Sequence, residues 1–211
     1  MFNMLDVGHG KVKYWIDELP LTNVTGSLTI EDYIPSRCSK TFANTKVALE
    51  IFLPKNNSYY GLLGVEYLPA IESNDLRIIF NFTTKNDYEY KDSILKDYEK
   101  VFMGLIEYYL DYTRNKIKEC LYGKNKIQSG VLNFIAAANS EVGSSPKLFG
   151  AISEMLIEMI IRTGNKQLDT DMDEIVKDIF YSSSLFKKRE TQGRVPSVDK
   201  PKNSHASELQ P

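Results

Sequence analysis

The sequence predicts an α+β fold: a two-layer sandwich in which a mainly antiparallel sheet of about five or six strands carries two principal helices on one face. Three observations predict it. The first 85 residues hold short runs rich in β-branched and aromatic side chains, each closed by turn residues. Pro20, Pro35, Pro54 and Pro69 fall at or just past the ends of those runs, where a residue that cannot donate to a ladder is tolerated. From Tyr90 onward the apolar spacing lengthens to three or four residues, the period of a helix with one buried side.

Taken in order, the strands are residues 11–17 (KVKYWID), 26–34 (GSLTIEDYI), 45–53 (TKVALEIFL), 59–68 (YYGLLGVEYL) and 76–83 (LRIIFNFT). In the last, Leu76, Ile78, Phe80 and Phe82 alternate with Arg77, Ile79, Asn81 and Thr83, setting a buried face against a more polar one. Ile94, Tyr98, Val101, Leu105, Tyr109, Tyr112, Ile117 and Cys120 then predict one long helix starting near Tyr90, capped by Asp92 or Ser93 and ended by Gly123. Residues 130–138 (GVLNFIAAA) predict a further strand. A second helix over 146–163 buries Leu148, Ile152, Met155, Leu156, Met159 and Ile160, with Ser145 as its cap, Pro146 in its first turn and Gly164 beyond its end. A third spans 171–182, with Thr170 as cap and Asp171, Asp173 and Glu174 near its positive end. Residues 187–211 contain almost no large apolar side chains and predict a disordered tail, which leaves 1–186 as a single domain.

The chain has 26 basic and 28 acidic side chains, and the tail holds six of the former and three of the latter, leaving 20 against 25 in residues 1–186. That mild acidity argues against a broad basic surface for a phosphate backbone, though not against a local basic patch. Two cysteines, Cys38 and Cys120, and two histidines, His9 and His205, form no CxxC pair, zinc framework or catalytic triad. No apolar run reaches the roughly 20 residues a membrane span needs, and no basic-then-apolar leader opens the chain, so the expected location is cytoplasmic. No cofactor is expected. Asp169, Asp171, Asp173 and Glu174 begin like a calcium loop, but Glu174 stands where glycine is needed and Phe180 where a bidentate glutamate is needed.

Two groups of residues are candidates for function. Gly143, Ser144 and Ser145 sit between a strand and a helix start, where free N–H groups and hydroxyls suit an anion such as a phosphorylated ligand; capping alone accounts for the same residues. Tyr98, Tyr108, Tyr109 and Tyr112 crowd the predicted long helix. Adjacent positions project about 100° apart, so these rings cannot share one narrow stripe. Exposed aromatics anchor protein interfaces and also stack nucleobases. Core packing is the first account of most of the tyrosines.

The stretch Ser140-Glu141-Val142-Gly143-Ser144-Ser145, with Phe149 and an apolar helix behind it, resembles part of domain IV of translation elongation factor G, which reads Glu-Val-Asp-Ser-Ser before a helix bearing Phe. The resemblance covers at most residues 45–163. Gly143 replaces the family aspartate, and Asn139 stands near the family histidine. It implies the fold of ribosomal protein S5 domain 2 and a ribosome- or RNA-associated role. The residues themselves, with no catalytic set and a surplus of aromatics, point first to a non-enzymatic binding protein: an inhibitor, an immunity-type protein or an assembly adaptor. The expected partner is a protein, with RNA or the ribosome as the alternative and a homo-oligomer left open. A small enzyme or sensor using the 143–146 helix start for a phosphorylated ligand is the third reading.

Overall fold

A computed structural model describes residues 2–22, 28–54, 59–70, 73–122, 126–164 and 171–185. The predicted tail, the Thr170 cap, Gly123 and the first residues of the 26–34 segment lie outside them. The chain forms β1 (Phe2–Val7), β2 (Gly10–Ile16), β3 (Leu28–Pro35), β4 (Thr45–Leu53), β5 (Tyr59–Pro69), β6 (Asp75–Phe82), β7 (Val101–Met103), α1 (Glu107–Leu121), β8 (Gly130–Ser140), α2 (Pro146–Thr163) and α3 (Met172–Ser182). All eight strands join one sheet in the order β1-β2-β4-β5-β8-β6-β3, with β7 beside the far end of β8. Neighbouring strands are antiparallel except β6 and β8, which run parallel across the α1 connection. The α+β sandwich is therefore present, with a sheet enlarged by β1 and β7.

β1 was hidden by its position before a Gly-His-Gly turn. Phe2, Met4 and Asp6 alternate with Asn3, Leu5 and Val7, and the pair closes at Val7 opposite Gly10, where Gly8 takes φ 63°. Added side-chain bulk at Gly10 would meet the Phe52 carbonyl at 2.6 Å, so this hairpin must lie tight on β4.

The helices share one face. α2 lies under β4 and β5, α1 flanks it toward β6 and β3, and α3 flanks it on the β1–β2 side. The six residues predicted for the buried side of α2 are all at most 1% exposed, and Ser145 caps it by accepting from the Leu148 N–H. Each such aliphatic side chain contributes about 1.5–3 kcal/mol on burial. Gly61 lets α2 approach β5, since a methyl there would sit 3.0 Å from Ile152 Cδ1. α3 begins at Asp171, whose side chain accepts from the Asp173 N–H.

The long helix predicted from Tyr90 is corrected: only Glu107–Leu121 is helical. Residues 84–103 instead form turns and β7 and lie across the opposite face of the sheet. There Tyr90, Leu95 and Val101 join Trp15, Ala48, Tyr60, Leu62, Ala136 and Ala138 in a second apolar cluster. Ser93 closes a turn by accepting from Leu95 N–H and caps no helix. Of the residues at helical spacing, Ile94 and Val101 return to this sheet face whereas Leu105 enters the core on the helical side, and Gly104 at φ 103° separates the segment from α1.

Candidate functional site

On the face away from the helices, β1 and β2 form the floor of an open groove of about 470 Å³. Phe2 and Met4 project from β1, and Lys11, Lys13 and Trp15 from β2, because alternate residues of a strand share a face. One wall is Pro20 and Leu21. It is held down by Leu19, which fits over Gly64 between two alanines, and by Thr22, whose hydroxyl accepts from the Ala137 N–H at 3.0 Å. Asp17, at φ 61°, turns the chain from β2 into this wall. The other wall runs from Tyr90 through Asp92, Ser93 and Ile94 to Lys96.

Two buried charges pin that second wall to the sheet. Glu50, on central strand β4, is fully buried and accepts from Tyr60 OH at 2.8 Å and from Ile94 N–H at 2.9 Å. Lys13 Nζ donates to the Asp92 carbonyl at 3.0 Å and lies 3.8 Å from Glu50 Oε2, which has no hydrogen-bond partner among the described residues. The same ammonium stands 4.2 Å from the Phe2 ring centroid and 4.8 Å from that of Trp15, so the rings share its charge. Burial raises the Glu50 carboxyl above its ordinary value, against the opposing pull of Ile94 N–H, Tyr60 and Lys13. Burial, then the nearby Glu50, raises the Tyr60 phenol well above its own.

The groove is apolar at its rim and basic in its lining. Phe2 is 48% exposed, Met4 49% and Leu21 85%. Lys11, Lys13 and Lys96 line it against Asp92 alone among acids, and neither Lys11 nor Lys96 has an ion-pair partner among the described residues. The chemistry of such a surface is complementary to an apolar group carrying negative charge. Among the described residues no group of three His, Cys, Asp or Glu side chains is placed to hold a metal, and no helix is long and apolar enough to cross a membrane.

The residues singled out from the sequence lie elsewhere. Ser144 Oγ accepts from Ser140 N–H and donates to the Tyr60 carbonyl, Gly143 N–H donates to Ser140 Oγ, and Ser145 caps α2, so the turn uses these groups internally. Tyr108 and Tyr112 are exposed on α1, whereas Tyr98 stacks on Phe52 at 6.0 Å on the other side of the sheet; the three do not form one surface. Tyr109 is corrected from interface to core: it is 7% exposed and stacks on Phe149 at 4.8 Å, joining α1 to α2. Cys38 and Cys120 are not joined in a disulfide and lie half-buried against the core.

Sequence reading missed the groove because its floor rests on β1, which was not recognised. Two signals were present: an acid, Glu50, inside the apolar run TKVALEIFL, and the alternation Lys11, Lys13, Trp15 opposite Phe2, Met4, Asp6. No family model matches the chain, and neither a curated protein nor a solved structure matches it.

Proposed function

We propose that this protein is a non-enzymatic binding protein that acts in the cytoplasm through a protein–protein interface, and that the groove over β1 and β2 is its contact surface. One observation carries the reading: three large apolar side chains, Phe2, Met4 and Leu21, stand about half or more exposed around one concavity. Exposed apolar groups gathered about a concave, charged site mark interaction surfaces, whereas single ones do not. The rest of the groove is rigid, since Glu50 and Lys13 fix one wall and Leu19 and Thr22 the other. A preformed surface loses little entropy on association. An inhibitor or adaptor that docks without rearrangement fits this construction.

The test is site-specific photocrosslinking in the native host, with the reactive group at Leu21 and, as a control, at Tyr112 on the helical face. A single protein crosslinked from Leu21 and lost in Met4→Asp supports the proposal. Crosslinks from Tyr112 alone would move the interface to α1, and none from either site would end the reading.

A ribosome- or RNA-associated role is the second reading, favoured by the three lysines lining the groove and by the resemblance of residues 140–149 to elongation factor G domain IV. It requires co-sedimentation with ribosomes at low salt that weakens as salt rises.

A further inference from the structure

Among the described residues the main path of the sheet ends in β1 and β3, and these two ends are unequally protected. β3 ends in Pro35. Its Asp32 is clamped by Arg114 and Lys118 of α1 at 2.8 Å each, and its Glu31 is paired with Arg77. Charges and a proline are the usual means by which an edge is kept from pairing with another chain. β1 has a single charge, Asp6, near its end and otherwise runs Phe-Asn-Met-Leu-Asp-Val in unbroken register with β2, without proline, lysine or bulge. Leu5 and Val7 are buried in the core, so the strand is anchored, while among the described residues its outer edge is bonded to no other strand.

Resting on the interface reading above, we infer that the partner contributes an extended peptide segment that adds to the free edge of β1 and turns alternate acidic and apolar side chains into the groove. Neighbouring strands lie about 4.8 Å apart, so the side chains of an added strand would stand beside Phe2 and Met4 at the open rim. Main-chain bonds along β1 supply affinity, and the groove reads every second side chain. Charge decides the chemistry. Lys11 and Lys96 are exposed and unpaired among the described residues, while Lys13 is engaged with Asp92 and Glu50. Carboxylates on the peptide complete the site.

A second copy of the chain fits less well, because Asp6 is the only acid in β1, so β1 pairing with itself brings one carboxylate to each groove. Nucleic acid fits less well too. Trp15 is 5% exposed beneath Lys13, which leaves no indole face open for a base, and the chain carries a net charge of −2.

The experiment is selection of random twelve-residue peptides against the full immobilised chain, followed by amide hydrogen exchange with a selected peptide bound. The expected result has three parts: selected peptides alternate Asp or Glu with β-branched or aromatic residues; alternate amides of Phe2–Val7 gain protection; and Lys11→Glu/Lys96→Glu, at two exposed sites that leave the melting temperature unchanged, weakens binding at least tenfold and shifts selection to basic peptides. Groove binders that leave the β1 amides unchanged would overturn strand addition but keep the interface reading. A library that yields no groove binder would end both. Competition by poly(U) would transfer the site to RNA, and a dimer whose β1 amides are already protected would make the occupant a second copy.

Discussion

Glu50 lies between Leu49 and Ile51 with no exposed surface, and its carboxyl accepts from Ile94 N–H of the groove wall and from Tyr60 OH of the neighbouring strand. Because burial raises its pKa from the ordinary 4.5, the folded protein keeps the proton to a higher pH than the unfolded chain does. Folding is then favoured least where the unfolded chain has ionised, so stability falls as pH rises from 4.5 to the raised value and stays lower beyond it. Glu50→Gln retains an acceptor for Tyr60 OH and Ile94 N–H but cannot ionise. The melting temperature of the native protein, relative to that of the variant, is expected to drop as pH rises above 4.5. A difference that is flat across this range would show that Lys13 compensates the charge fully. The same residue shows the limit of sequence reading at this scale. An acid in an apolar strand is visible in the sequence, but its partner Lys13 and its target Ile94 come from segments that only the fold brings together.

Among the elements, α1 and β3 are joined by a short ionic clasp. Arg114 gives two N–H bonds to Asp32, at 2.8 Å each, and with Lys118 holds the Asp32 carboxyl down to about 2. A depressed carboxyl contributes stability above its unfolded value of 3.8, and loses it as pH falls through about 2. Asp32→Asn is expected to cost about 1–2 kcal/mol at neutral pH in urea unfolding, after allowance for solvent screening, and nothing below about pH 2. β5 offers a second test. A methyl at Gly64 would stand 2.9 Å from Ala136 Cβ, 3.0 Å from Ala48 Cβ and 3.1 Å from Leu19 Cδ2. Gly64→Ala should lose about 1–3 kcal/mol and lift the Leu19 wall, visible as faster exchange of the Ala137 amide that Thr22 now covers. α2 was legible to the residue because its signals are local: a cap, a proline and a period. The stretch 90–106 was not, because its apolar residues are spaced by turns pressed on a sheet face, and spacing alone does not separate that from a helix.

Across the whole molecule, strand type was readable but strand order was not. β8, late in the chain, inserts between β5 and β6 and closes the sheet, pairing with both and with β7. Nothing in GVLNFIAAANS names those neighbours. Its near-continuous apolar character does signal burial on both faces, since Leu132, Phe134 and Ala137 enter the helical core while Ala136 and Ala138 enter the opposite cluster. A fragment of residues 1–129 would retain seven strands and still split into two unconnected ladders, β1-β2-β4-β5 and β3-β6, apart from short β7. It is expected to lack a cooperative thermal transition by circular dichroism, and the full chain to show one.

That central insertion also sets a timetable for biosynthesis. Translation adds about 5–20 residues per second, so a nascent chain holds finished β5 for several seconds before β8 has emerged to meet it. During that interval the two strands destined for the middle, β5 and β6, are both raw edges rich in leucine, isoleucine and phenylalanine. Chaperone demand should therefore peak in mid-synthesis and end abruptly once residue 140 clears the exit tunnel, and slowing translation downstream of β8 should do far less harm to the yield than slowing it just upstream.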